Sequence, residues 1–167
     1  MSAMATTGPR PTLRFLVSHP AHFVALGFGS GLAPFAPGTF GTLVAIPLAI
    51  ALRERLGDPG YALAVVALFV VGIAVSAITA RDLGVPDHGS IVWDEVVAFL
   101  AVLYFVGEDW RWIAVAFLLF RFFDIVKPPP IRAVDAALKS GLGVMLDDIL
   151  AAGYTLLALA VLRRVLG

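Results

Sequence analysis

The sequence predicts an all-α fold: a compact, multi-pass membrane helical bundle of about four to five membrane helices, with its polar residues gathered at one membrane face. Three observations carry this expectation. The chain of 167 residues is 60% hydrophobic and 14% charged, with a mean hydropathy of +0.94, whereas a soluble domain is about half apolar and about a quarter charged. Its apolar runs are continuous rather than alternating, and lipid admits only helices or closed barrels because every backbone group must be satisfied internally. The charged residues gather between those runs and toward their ends.

Residues 1–12 read as a disordered tail, and residues 13–167 as a single helical membrane domain. The first thirty residues contain Pro9, Pro11, His19, Pro20 and His22. They lack a compact apolar core with a small-residue cleavage site, so no cleavable signal peptide is expected. Residues 23–32 read as a half-buried or re-entrant element. The apolar run 43–52, entered from Thr39, is short against the roughly 20 residues of a full span. Pro47 inside it predicts a kink. The clearest span is 61–79, "YALAVVALFVVGIAVSAIT", without a charge. Three more follow: "IVWDEVVAFLAVLYFV" (91–106), "WIAVAFLLFRFFDIVK" (112–127) and "MLDDILAAGYTLLALAVL" (145–162). Pro128 ends the third of these runs, since proline disfavours helix in the residue before it, and "PPP" reads as a stiff, extended connector.

Taken as alternating crossings, these spans place residues 34–42, Arg81, Asp87, His88, Asp94, Glu95, Arg121, Asp124, Lys127, Asp147 and Asp148 on one side. Arg53, Arg55, Asp58, Glu108, Asp109 and Arg111 fall on the other. This sorting requires 43–52 to cross completely.

Charges within spans are costly and mark function by default. Asp94, Glu95, Asp124, Asp147 and Asp148 bring five carboxylates from three helices. Such a set repels itself unless a cation joins it, and hard oxygen ligands suit Mg²⁺ or Mn²⁺. The plainer reading is that some of these acids are solvated at the interface or paired with Arg121 and Lys127. Adjacent acids on a helix diverge by about 100°, so Asp147 and Asp148 share one site only near a helix end or in a crowded bundle. Arg121, Asp124 and Lys127, spaced i, i+3, i+6, line neighbouring parts of one face, either as a salt-bridge ladder or as phosphate contacts. In "PFAPGTFGTL" (34–43), Thr39 is placed to cap a helix, and the same N-terminus offers backbone N–H groups to an anion. His88, in a loop, is either solvated or a proton donor.

Four ordered motifs, "PFAPGTFGTLVAIP", "HGSIVWDE", "FRFFDIVKPPPI" and "GLGVMLDDILAAG", resemble the phosphatidylglycerophosphatase A family over residues 26–155. The resemblance implies a helical, Mg²⁺-dependent lipid phosphatase of the bacterial cytoplasmic (inner) membrane, acting on phosphatidylglycerol phosphate among membrane lipids to give phosphatidylglycerol. It implies Glu95, Asp94, Asp124, Asp147 and Asp148 as metal ligands or base, Arg121, Lys127, Thr39 and Thr42 as phosphate contacts, and His88 as donor to the leaving oxygen. The active face is expected on the cytoplasmic side, where the precursor is made, with His88 and Lys139 facing the cytoplasm.

The residues exclude other phosphatase chemistries. No cysteine is present, so a cysteine nucleophile is ruled out, and neither an Asp-x-Asp-x-Thr nor a "PSGH" signature occurs. Net charge is zero, which gives no support for a nucleic-acid partner. Two alternatives remain: a small ion- or proton-coupled transporter, whose acids should lie near the midplane, and a structural membrane subunit, which needs no metal. Oligomeric state is open at this level.

Overall fold

The computed structural model describes residues 8–138 and 140–166. It is all-helical, with no strand among the described residues: α1 (Leu13–Ser18), α2 (Pro20–Ala25), a 3₁₀ segment (Gly27–Leu32), α3 (Pro37–Leu83), α4 (Trp93–Val106), α5 (Trp110–Val126), α6 (Ile131–Ala137) and α7 (Gly141–Leu166). The region expected to be re-entrant, 23–32, is the end of α2 followed by the 3₁₀ segment.

α3 is two helical arms. Its backbone is non-helical only at Gly57 (φ 62°, ψ 179°), in a region glycine enters without steric penalty. The break thus lies between the runs 43–52 and 61–79, and the backbone keeps helical dihedrals through Pro47, where a kink was expected. The arms fold back on each other against α4. On the first arm, Gly38 lies beside Glu95 and Arg53 donates to Leu103 O and Tyr104 O, so this arm runs parallel to α4. On the second, the Tyr61 hydroxyl donates to Leu100 O at 2.9 Å and Trp93 Nε1 donates to Leu68 O, so that arm runs antiparallel.

α4 is the central helix. Ten of its fourteen residues are buried, including Val96, Val97, Phe99 and Leu100, as expected of a helix apolar on all sides. α7 and α5 pack around it, with Phe120 and Met145 fully buried. The outer surface is apolar instead: Leu63, Val66, Val70, Leu118, Leu157 and Val161 are each at least 60% exposed. So large an apolar exterior marks contact with lipid or protein rather than water. α3 and α7 are long and apolar enough to cross a membrane; α4 spans about 21 Å at 1.5 Å per residue.

Two local expectations are corrected. Thr39 does not cap α3: the cap is Ala36 in the left-handed conformation, Pro37 occupies the first turn, and Thr39 lies inside the helix. Proline at that position fits because its missing N–H has no intrahelical partner to lose. "PPP" is a turn, not an extended connector. Lys127 caps α5 in the left-handed region (φ 46°), reversing the chain, and the Ile131 N–H closes on Pro128 O at 2.9 Å before α6 begins.

Candidate metal and phosphate site

The helix directions bring the sequence-predicted residues to one end of the bundle. α4 starts there, α5 ends there and α7 starts there, while Arg53, Tyr61, Val106 and Arg163 meet at the far end. Asp94 and Glu95 occupy the first turn of α4, where the helix dipole favours negative charge. Asp94, Asp124, Asp147 and Asp148 are all buried.

Two kinds of acid result. Asp94, Glu95 and Asp148 each present a carboxylate oxygen within 4.8 Å of the other two. Asp94 Oδ1, Glu95 Oε2 and Asp148 Oδ2 have no hydrogen-bond partner. Buried, unpartnered carboxylate oxygens this close repel one another unless a cation or protons lie between them, so the three fit a hard divalent cation. The other two acids are each paired with a cation, although Asp147 Oδ1 is unpartnered as well. Arg121 Nη1 meets Asp124 Oδ2 at 2.7 Å, one turn along α5, and reaches Glu95 Oε1 at 3.5 Å. Lys127 Nζ meets Asp147 Oδ2 at 2.5 Å and Asp135 at 3.5 Å.

The consecutive pair Asp147–Asp148 is thus split by the helical twist, one toward Lys127 and one toward α4. Glycines make the close approach possible. A Cβ on Gly141 would strike the Ile73 carbonyl, and one on Gly143 the Leu138 carbonyl, so α7 starts in direct contact with neighbouring backbone. The opening glycine-rich stretch has the same use: a Cβ on Gly38 would fall on Glu95 Oε1 and lie 3.1 Å from Arg121 Nη1. Thr42, fully buried, donates to Gly38 O at 2.8 Å and accepts from Arg121 Nη1 at 3.4 Å. Thr39 is half-buried in the first turn of the same arm.

His88 is buried in the 84–92 loop. Its Nδ1 accepts the Ser90 N–H at 3.1 Å, which leaves the proton of a neutral ring on Nε2, and Nε2 has no partner. Its one hydrogen bond, to Ser90, does not join it to the acids. Lys139 lies outside the described residues. Two residues escaped the sequence reading: Ser76 and Thr79, buried hydroxyls without partners on the second arm of α3. A small polar residue in an apolar run reads as an ordinary packing choice, and only burial without a partner sets these two apart. A cavity of about 290 Å³ lined by Ile46, Arg53, Glu54, Leu103 and Glu108 lies at the far end, away from every predicted site residue.

An all-helical protein with membrane-length helices and a buried acidic centre flanked by two paired cations is the class defined so far. The profile of the phosphatidylglycerophosphatase A family matches residues 23–163. The chain is 44% identical over 152 residues to phosphatidylglycerophosphatase A of Haemophilus influenzae, covering 90% of this chain and 93% of its relative. It is 44% identical over 139 residues to phosphatidylglycerophosphatase A of Escherichia coli, covering 83% and 80%. A Bacteroides thetaiotaomicron protein provisionally named as a phosphatidylinositol-3-phosphatase is 41% identical over 152 residues, covering 86% and 94%. No solved structure gives a significant match. The chain belongs to the phosphatidylglycerophosphatase A family.

Proposed function

We infer that the protein is a lipid phosphatase that hydrolyses phosphatidylglycerol phosphate to phosphatidylglycerol and inorganic phosphate. Family membership and the names of the relatives from H. influenzae and E. coli support the reaction. The single structural observation that supports the mechanism is the triad Asp94, Glu95 and Asp148, each with one buried carboxylate oxygen unpartnered.

In this reading the triad holds Mg²⁺, with Asp124 and Asp147 beside it. The ion supplies positive charge against the phosphoryl oxygens and makes water a better nucleophile. Phosphoryl transfer depends mainly on positioning and electrostatics, and the protein contributes both. Arg121 and Lys127, already at the acid centre, bring their charges to the incoming phosphate. Thr39 and the Gly38 N–H at the start of α3 serve as neutral donors in this reading, while Thr42, whose hydroxyl donates to Gly38 O, accepts from Arg121 and holds that guanidinium toward the phosphate. Water forms a bond to phosphorus and the bond to the glycerol oxygen breaks. Asp124, paired with Arg121, takes a proton from the water, and His88 Nε2 gives one to the leaving oxygen. A transporter fares worse, because its acids belong near the middle of the spans and these cluster at one end.

The same reading places the chain in the bacterial inner membrane with both arms of α3 and helices α4, α5 and α7 crossing it, and the acid centre at the cytoplasmic face. Purified protein offered phosphatidylglycerol phosphate, phosphatidylinositol 3-phosphate and phosphatidic acid at equal surface density tests the substrate. Preference for phosphatidylglycerol phosphate is expected; preference for the inositol lipid would move the assignment toward the Bacteroides relative's name.

A further inference from the structure

Ser76 and Thr79 stand one turn apart on the second arm of α3, at 1% and 0% exposure, and neither hydroxyl has a hydrogen-bond partner. A helical serine or threonine often bonds the carbonyl four residues back. Thr42 and Thr155 do so here, each at 2.8 Å; Ser76 and Thr79 do not. Leaving a buried hydroxyl unpaired is less favourable than replacing it with an apolar group of the same shape, so two such hydroxyls on one stripe call for a ligand.

Their position points to its chemistry. They continue the helical stripe of Gly72 at i+4 and i+7, and a Cβ on Gly72 would strike Met145 and Trp93. Trp93 immediately precedes Asp94, and Met145 stands two residues before Asp147. The stripe therefore follows the seam between the starts of α4 and α7, the two helices that supply the acid triad. Ala80 beside it packs with Ile91 and Val144. A cavity of about 310 Å³, lined by Ala77, Ala80, Arg81 and Gly141 but by neither hydroxyl, opens on the adjoining face of this arm. Arg121 and Lys127 are engaged with carboxylates. An anion entering this end needs donors that carry no charge of their own to be captured by the acids, and a hydroxyl rotates to donate where required.

We propose that Ser76 and Thr79 form a hydroxyl pair that binds the oxygens of a phosphate group beside the acid centre. The proposal rests on the phosphatase reading and extends it to residues outside the family motifs quoted above. The phosphate is either the terminal group of the lipid or the inorganic phosphate released from it.

The test uses the full-length protein in nanodiscs and the variants Ser76→Ala, Thr79→Val and both together. KM for phosphatidylglycerol phosphate, the inhibition constant of inorganic phosphate and the thermal midpoint are measured for each. Loss of a hydrogen bond to an anion predicts a roughly tenfold weaker phosphate inhibition per variant, with an unchanged or higher thermal midpoint, because an unpaired buried hydroxyl has been removed. A KM that rises in parallel assigns the lipid-borne phosphate; weakened inhibition with unchanged KM assigns the released one. Thr79→Ser should behave as wild type. Wild-type KM and wild-type inhibition in the folded double variant would overturn the pair, and if Thr79→Val does not fold, Ser76→Ala decides on the same two constants. If the wild-type protein releases no phosphate from the lipid, the phosphatase reading alone fails. Titration of inorganic phosphate followed by phosphorus NMR then decides the pair, with equal binding by wild type and Ser76→Ala contradicting it.

Discussion

Asp147 and Asp148 are neighbours in the chain with different assignments: each has one buried oxygen unpartnered, but Asp147 is paired to Lys127 at 2.5 Å, while Asp148 joins Asp94 and Glu95. About 100° of helical rotation separates them. The two should therefore respond differently to the same substitution. Asp148→Asn keeps the shape and removes a charge from the triad, and is expected to lower kcat by about a hundredfold or more. Asp147→Asn releases Lys127 from its pair and is expected to act mainly on KM, by about tenfold. Steady-state kinetics on the two variants checks this; equal loss of kcat in both would remove the distinction.

Gly38 offers a purely steric test. Gly38→Ala places a methyl group on Glu95 Oε1 and against Arg121. Overpacking of this kind costs about 1–3 kcal/mol, and here the strain falls on the acid centre. Activity should drop by about a hundredfold, with the protein still inserted and folded. Gly89→Ala, where an added Cβ meets nothing within 4 Å, is the control and should be silent in the same assay.

The far end should be insensitive. Glu108→Gln alters an exposed acid in the turn before α5. Asp109 is the cap of α5 and accepts the Arg111 N–H at 2.9 Å; asparagine caps as well as aspartate, whereas alanine costs about 1 kcal/mol. Asp109→Asn should thus keep wild-type activity and stability, and Asp109→Ala should lose stability with activity per folded molecule unchanged. Denaturation midpoints and phosphate release together read both.

Much of this arrangement was legible before the fold. Continuous apolar runs gave the five long helical segments, and counting crossings put Asp94, Glu95, Asp124, Asp147 and Asp148 at the end where they meet. Three features were not legible. The backbone stays helical through Pro47, where a kink was expected, because a helix tolerates proline where neighbouring packing holds the backbone, and the break sits at Gly57 in the turn expected between the first two apolar runs. The two-way split of the carboxylates depends on helix rotation, and uniformly apolar helices carry no periodic mark of which face points inward. Ser76 and Thr79 were hidden for the same reason: their significance lies in what surrounds them.

Topology can be read with introduced cysteines, since the chain has none. His88 is buried, so the exposed neighbour Gly89 is the better probe of the acid-centre side, and Glu108 of the other. In spheroplasts, Glu108→Cys should react with an impermeant thiol reagent, and Gly89→Cys only after lysis. The basic residues of short loops set orientation weakly in this chain, so the result bears directly on the proposed cytoplasmic face. Reaction of Gly89→Cys in intact spheroplasts would invert it.

The central claim is that Asp94, Glu95 and Asp148 hold a divalent cation that the reaction requires. Phosphate release from phosphatidylglycerol phosphate, followed across a Mg²⁺ titration after chelation, tests it for the wild type and for Asp148→Asn. The account predicts no release by the chelated wild type, full recovery on adding Mg²⁺, and no recovery by Asp148→Asn at the Mg²⁺ concentration that saturates the wild type. Full activity of the wild-type protein in excess chelator would contradict it.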